Sequence, residues 1–264
     1  MDLYCKSALI TGGASGIGLA TADELLCNQL YRVILADCNC EEGKKSTEML
    51  NDKYGENKAC FVHLDVRKQE DFEEVFVQIA KKIGSIDILV NNAGFMDDNC
   101  WKEEINVNVK AVIRGTLLGL KHMQHNPPKD RVIVNVGSTL GLDACPPYLP
   151  FYTATQHAIS GLTKSLGDKV HYMTSKIRVI GVCPGPTSTD LMVCRDEKAL
   201  LPHWSKMVNK TFYPIMQCPK QVGRGIAYMV QYAPSGSLWV VEGDSVFKTE
   251  IPKSDKYRQT VIYV

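Results

Sequence analysis

Thr11-Gly12-Gly13-Ala14-Ser15-Gly16-Ile17-Gly18 follows the apolar run Ala8-Leu9-Ile10 and leads into Ile17, Ala20, Leu25 and Leu26, which recur at helical spacing. The stretch thus reads as a strand, a glycine-rich turn and the opening of a helix. Glycines let the backbone turn sharply and approach an anion with no Cβ in the way. The helix start adds unpaired N–H groups and the positive end of its dipole. Gly12, Ser15, Gly16, Ile17 and Gly18 therefore form a candidate cradle for a pyrophosphate. No Gly-Lys-Ser/Thr ending follows, which excludes the ATP-type phosphate loop.

Outward from the turn the same alternation continues. Arg32–Ala36, Ala59–Leu64, Ile86–Val90, Arg131–Val136, Ile177–Val182 and Ser237–Val241 predict further strands. Helical spacing lies between them: Phe72, Val75, Phe76, Ile79 and Ile83; Val109, Val112, Ile113, Thr116, Leu117 and Leu120; Ala158, Ile159, Leu162 and Leu166. Strands alternating with helices imply βαβ units with right-handed crossovers. The expected fold is one α/β domain, a Rossmann-type doubly wound parallel sheet with helices on both faces, over residues 1–246, followed by a tail over 247–264. No mid-chain linker or internal repeat divides it.

Asp37 ends the second predicted strand about 20 residues beyond the glycines. A carboxylate there accepts hydrogen bonds from the ribose hydroxyls of NAD and repels the 2′-phosphate of NADP. No Arg or Lys lies within Asp37–Glu42 to receive that phosphate, so the expected cofactor is NAD.

The 30 Lys+Arg and 29 Asp+Glu leave a formal charge of +1, which argues against a broad basic face for nucleic acid. No apolar stretch reaches the ~18 residues of a membrane span, and Met1–Ser7 lacks the apolar core of a secretory signal. The expected location is cytoplasmic, and the ten cysteines are then expected to be free and mostly buried. Cys38-Asn39-Cys40 has no second pair at zinc spacing, and His122 with His125 has no neighbouring carboxylate, so no metal site is expected.

With further motifs in order, the chain resembles the short-chain dehydrogenase/reductase family. The turn has that family's Thr-Gly-x-x-x-Gly-x-Gly form. Asp65, in Leu64-Asp65-Val66, matches the aspartate expected near the adenine. Asn91-Asn92-Ala93-Gly94 matches a signature that stabilises the sheet and borders the cofactor. Ser138, Tyr152, Pro184-Gly185, Thr187 and Thr189 follow in the family's order, over about residues 6–242. Val112–Thr116, Cys183-Pro184-Gly185 and Gly236–Val241 resemble the branch that holds the insect alcohol dehydrogenases and 15-hydroxyprostaglandin dehydrogenase.

The resemblance implies hydride transfer between a nicotinamide and an alcohol or carbonyl carbon. Tyr152 is the implied acid/base and Ser138 the group that orients the substrate oxygen. The active-site asparagine is Asn108 or Asn106, and the count back from Val112 and Gly115-Thr116 favours Asn108. It also implies a dimer or tetramer through the helices after Asn108 and after Tyr152.

Two departures stand out. The family's Tyr-x-x-x-Lys is Tyr152-Thr153-Ala154-Thr155-Gln156 here, so Gln156 occupies the lysine's place on the helix face. Its amide can hydrogen-bond a ribose but carries no charge. A unit charge ~5 Å from the phenol, at an effective dielectric of ~20, stabilises tyrosinate by roughly 3 kcal/mol, or about two pKa units. Lys164, two turns on, is expected not to reach, and His157 is expected to be structural. Ser138 and Tyr152 also stand 14 positions apart, one more than the family expects, and the extra residue is expected to bulge outward from Asp143–Pro150.

The resemblance implies that the segment Gly185–Cys218 folds over the substrate, and its apolar content, with Leu191, Met192, Leu200, Leu201, Trp204, Met207, Val208, Phe212 and Tyr213, suggests a hydrophobic alcohol, ketone or lipid-like ligand. Two functions remain open at this point. One is an NAD-dependent oxidoreductase of a hydrophobic secondary alcohol, impaired by Gln156. The other is a pseudoenzyme that binds a nucleotide or apolar ligand without turnover.

Overall fold

A computed structural model describes residues 1–123, 130–142, 146–193, 197–200 and 216–251. Ser7–Thr11 (β1) runs through the glycine turn into Gly16–Cys27 (α1), then Arg32–Asp37 (β2), Cys40–Tyr54 (α2), Ala59–His63 (β3), Gln69–Ile83 (α3) and Ile88–Asn91 (β4). Trp101–Glu104 (α4) passes through a π-helical turn, Ile105–Ala111, into Val112–His122 (α5). Arg131–Val136 (β5), Pro150–Leu166 (α6), Lys169–Ser175 (α7), Ile177–Pro184 (β6), Pro219–Tyr232 (α8), Leu238–Glu242 (β7) and Ser245–Thr249 (β8) complete the described elements.

The strands lie in the order β3-β2-β1-β4-β5-β6-β7-β8. The first seven are parallel, as expected, while β8 pairs antiparallel with β7. The expected division at 246/247 therefore falls inside a strand. Glu242 pairs with Ser245 across Gly243 and Asp244, whose φ of 55° and 62° give the two left-handed residues that a tight hairpin needs. Phe247, Lys248 and Thr249 belong to the sheet edge, and Lys253, Lys256, Arg258 and the apolar end of the tail lie outside the described residues.

Side chains alternate between the two faces with the two-residue period of a strand. Ala8, Ile10, Val33, Leu35, Val90, Val134 and Val182 pack under Leu25 and Leu26 of α1, Leu50 of α2 and Val222, Ile226 and Met229 of α8. Leu9, Ile34, Leu89, Ile133 and Val179 pack under Phe72 and Phe76 of α3 and Leu118 of α5. A buried polar network ties α5 and α6 to the sheet on that face. Asn91 Nδ2 donates to Asn135 Oδ1 at 2.9 Å, Thr116 Oγ1 to the same oxygen at 3.1 Å, and Asn135 Nδ2 to Thr163 Oγ1 at 3.1 Å. This network sets the position of α6, which carries Tyr152.

Among the described residues no helix is long and apolar enough to cross a membrane, and no cluster of His, Cys, Asp or Glu can hold a metal. His122 packs against Phe76, and His125 lies outside the described residues. The cysteines depart from expectation: Cys183 is buried and Cys60 half-buried, but Cys5, Cys27, Cys38, Cys40, Cys100 and Cys218 are exposed and free. Most of these six sit at turns and helix ends rather than on core faces, while Cys145 and Cys194 lie outside the described residues.

Candidate active site

Strand order reverses between β1 and β4, and a cleft opens there beyond the carboxyl ends of the strands, where open parallel sheets take their ligands. One half has a volume of about 480 Å³ and is bounded by Gly12, Ser15, Gly16, Asp37, Asp65 and Val66. The other, of about 410 Å³, is bounded by Ser138, Tyr152, Gln156, Pro184, Gly185 and Thr187. Both halves share Ile17, Asn92, Ala93, Gly94 and Thr189, so they form one elongated cleft.

The turn is shaped by sterics. Gly12 has φ +62°, and a Cβ on it would come within 2.9 Å of Ala93 Cα. Gly18 lies under the turn rather than on the cleft wall, because a Cβ there would stand 2.2 Å from Gly12 O. Asn92 Nδ2 staples the turn from β4, donating to Thr11 O and Gly12 O, each at 3.0 Å. Ser15 stands at the N-cap of α1, and among the described residues no side chain caps that helix, so its first N–H groups are available to an anion in the cleft.

Asp37 ends β2 at the far wall. It is held by Ala14 N, which donates to Oδ2 at 3.1 Å, and by Asn39 N, which donates to Oδ1 at 3.0 Å. Each oxygen keeps capacity for a further donor. Asp65 is engaged by Arg67, whose Nη2 lies 2.7 Å from Oδ2, and this contact holds the Asp65 carboxyl below the usual carboxylate range. Arg67 also reaches Glu103 at 3.1 Å, so the cation on this part of the wall is shared between two carboxylates.

At the opposite end Tyr152 is buried. Burial pushes its phenol up to about 12, Glu104 adds to the rise when it is ionised, and the Ser138 hydroxyl pulls the other way. Ser138 Oγ accepts from Leu140 N at 3.2 Å, which leaves its proton free to donate toward the phenolate or a substrate oxygen. The two catalytic candidates are thus together despite the 14-position spacing. Part of the long loop turns inward rather than bulging outward: Pro146, Pro147, Tyr148 and Leu149 line the cleft, while 143–145 lie outside the described residues.

The asparagine alternatives separate cleanly. Asn108, in the π-turn, lines the cleft; its Oδ1 accepts from Phe95 N at 2.8 Å and its Nδ2 donates to Thr155 Oγ1 at 3.1 Å. Asn106 faces Glu103 and Lys110 instead. Gln156 is buried on the cleft wall one helical turn beyond Tyr152, and its Nε2 donates to Thr155 Oγ1 at 3.3 Å. Thr155, unremarked in the sequence, therefore joins Asn108 to Gln156. Lys164 is exposed, and exposed His157 bonds Thr153 O at 3.0 Å, so neither replaces the lysine.

A small separate core roofs this end: Met96, Tyr148, Leu149, Tyr152 and Ala199, with Leu140, Leu191 and Met192 against them. Leu200 N donates to Tyr148 O at 3.2 Å and Asp98 N to Lys198 O at 2.9 Å, which joins the described part of the lid to the loop and to the turn before α4. Leu201, Trp204, Met207, Val208, Phe212 and Tyr213 lie outside the described residues. Asp98 and Glu104, both buried beside Tyr152, carried no signal that set them apart from a solvated acidic run.

The short chain dehydrogenase family matches residues 6–199. The 15-hydroxyprostaglandin dehydrogenase (NAD(+)) of Rattus norvegicus is 31% identical over 237 residues, 88% of either chain. Alcohol dehydrogenase 2 of Ceratitis capitata is 27% identical over 242 residues, 91% of this chain and 92% of its own. A dehydrogenase/reductase from Sinorhizobium meliloti 1021 shares the fold, with a TM-score of 0.75 at 24% identity over 91% of this chain and 94% of its own. With the family match over residues 6–199 and 31% identity across 88% of either chain, the chain belongs to the short chain dehydrogenase family.

Proposed function

We propose that the protein interconverts an uncharged, apolar secondary alcohol and its ketone with NAD, and that Gln156 makes the reaction slow at neutral pH. The cleft fits a dinucleotide. It has N–H donors at the uncapped start of α1 for the phosphates, a fixed carboxylate at Asp37 for the ribose, and walls long enough to reach Tyr152. Asn92, Ala93, Gly94, Pro184, Gly185, Thr187 and Thr189 border the path between. The bound cofactor supplies the hydride acceptor or donor.

The chain's own residues do the rest. Ser138 donates to the substrate oxygen and fixes it beside the phenol. Tyr152 takes the hydroxyl proton in oxidation and returns it in reduction. With the phenol pushed up to about 12, the base form is scarce at neutral pH, and among the described residues no lysine stands beside it to restore that form. Gln156 turns its amide to Thr155 and contributes hydrogen bonding without charge.

The observation that carries the substrate class is the wall of the reaction end. Met96, Val136, Leu140, Pro146, Leu149, Leu191 and Met192 line it, and none of its described residues bears a charge. Turnover with NAD on paired secondary alcohols, one an alkyl chain and the other the same chain ending in a carboxylate, tests this. The neutral member should be preferred by at least about tenfold, since an unpaired buried carboxylate is costly. Preference for the acid would sink the assignment. The Gln156 arrangement also supports the second reading, an NAD-binding protein without turnover, which would show cofactor binding and no reaction on either alcohol. Ile113 and Leu117, both exposed on one face of α5, support self-association through that helix.

A further inference from the structure

Asp98 and Glu104 are each 0% exposed, at the start of the helix that carries Tyr152. Asp98 Oδ2 accepts from Phe151 N at 2.9 Å and Oδ1 from Tyr152 N at 3.0 Å. These are first-turn N–H groups of α6, whose own N-cap residue, Leu149, offers no side-chain acceptor. Asp98 thus caps α6 from another element, with its charge at the positive end of the helix dipole. It grips the backbone N–H of the residue that bears the phenol.

Glu104 stands behind Asp98. Its Oε1 accepts from Asp97 N at 2.8 Å, while Oε2 is buried with no N–H or hydroxyl partner among the described residues, and Glu104 shares a side-chain hydrogen bond with the Asp98 carboxyl, which two such groups can make only when one of them carries the proton. Burial is the main force that raises the Glu104 carboxyl, to about 8, and the Asp98 carboxylate adds to it. Of the pair, Asp98 is the anion, because two N–H groups favour its charged form, and Glu104 is the acid. The other groups that bear on Glu104 are Asp97, from the turn before it, and Tyr152, from α6. Neighbouring Glu103 turns to Arg67, and Lys198, over Asp98, gives its ammonium to Leu191 O.

Resting on the reading of Tyr152 as the proton-exchanging group, we propose that Glu104 is a positioning residue for it: its acid proton bridges to the Asp98 carboxylate, and Asp98 so held fixes the first turn of α6. When that proton leaves to solvent, two carboxylates face one another in a buried site and Asp98 loses its backing. The sign follows. The folded chain binds this proton where the unfolded chain does not, so the grip is complete below the ordinary carboxylate range, declines as pH rises through neutral and is lost once pH passes the raised value.

The test needs no turnover. Infrared spectra of the protein labelled with ¹³C-glutamate should show a protonated-carboxyl band near neutral pH that disappears in Glu104→Gln. Hydrogen exchange, corrected for intrinsic base catalysis, should show protection at Phe151 and Tyr152 falling at least about tenfold between about pH 7 and about pH 9 in the wild type. In Glu104→Gln, which keeps an amide donor toward Asp98 and cannot ionise, protection should hold. Absence of the band, or pH-independent protection in the wild type, overturns the proposal. If the variant does not fold, those two wild-type measurements decide alone. If both hold while no alcohol is turned over, the enzymatic reading fails and the Asp98–Glu104 device stands.

Discussion

The two ends of the cleft are built by different means. The nucleotide end is made mostly of backbone: a glycine turn whose sterics allow one path, a helix start left uncapped, and a carboxylate held by two backbone N–H groups. Its parts come from consecutive segments, β1, α1 and β2. The reaction end gathers side chains from the π-turn, the loop after β5, the first turns of α6, the start of the lid and the turn before α4. Local sterics constrain the first end, and one altered side chain leaves it standing. The second depends on charge at a few atoms, and a single change such as Gln156 alters its chemistry while its shape persists.

That contrast can be broken most severely at Tyr152. Tyr152→Phe should remove the proton-exchanging group and keep the ring that packs with Met96, Leu149 and Ala199. General acid–base contributions of about 10²–10⁴ imply turnover below about 1% of wild type. NADH fluorescence titration should give a nearly unchanged Kd, because the nucleotide end is separate. A variant that loses binding along with turnover would show the two ends to be one unit.

Gln156→Lys should act in the opposite direction. A lysine ~5 Å from the phenol lowers its pKa by about two units, so alcohol oxidation near neutral pH should rise roughly a hundredfold. The sign fixes the profile. The base is the deprotonated phenol, pushed up to about 12 by burial, so wild-type oxidation should climb with pH across the neutral range, and the variant's curve should lie at lower pH. If the wild type is already fast and the substitution changes nothing, the account of the missing cation is wrong.

How far these features could be read from sequence follows the same division. The strands at β1, β2 and β5 were legible because continuous apolar runs mark strands buried on both faces. Helix α2 is not legible in the sequence, since Cys40–Tyr54 is largely polar and buries only Gly43, Ser46 and Leu50. Strand β8 is hidden because four of its five residues are exposed, and the two-residue turn at Gly243-Asp244 is the signal that marks it. Asn108 was placed by counting, and its separation from Asn106 came only with the π-turn. Asp98 and Glu104 belong to a run that reads as solvated charge. What buries them is non-local: the start of α6 and the segment around Lys198 and Ala199, which pack over the turn before α4.

The smallest effect probes the nucleotide end itself. Asp37 faces the ribose side of the cleft, and its carboxylate should repel a 2′-phosphate. At ~5 Å and an effective dielectric of ~40, each pair of unit charges costs about 1.7 kcal/mol, so NADH should bind at least roughly tenfold more tightly than NADPH. Arg67 borders the same half of the cleft, but Asp65 and Glu103 hold it, which leaves it little to offer a phosphate. Asp37→Ser should erase most of the preference, chiefly by improving NADPH, while turnover on a given alcohol at saturating NAD stays within a fewfold of wild type. Equal affinities in the unaltered protein would mean that Arg67 leaves its carboxylates to meet the phosphate. The double variant Asp65→Asn with Glu103→Gln would then raise NADPH affinity further, whereas under the present assignment it should do so only when Asp37 is also removed.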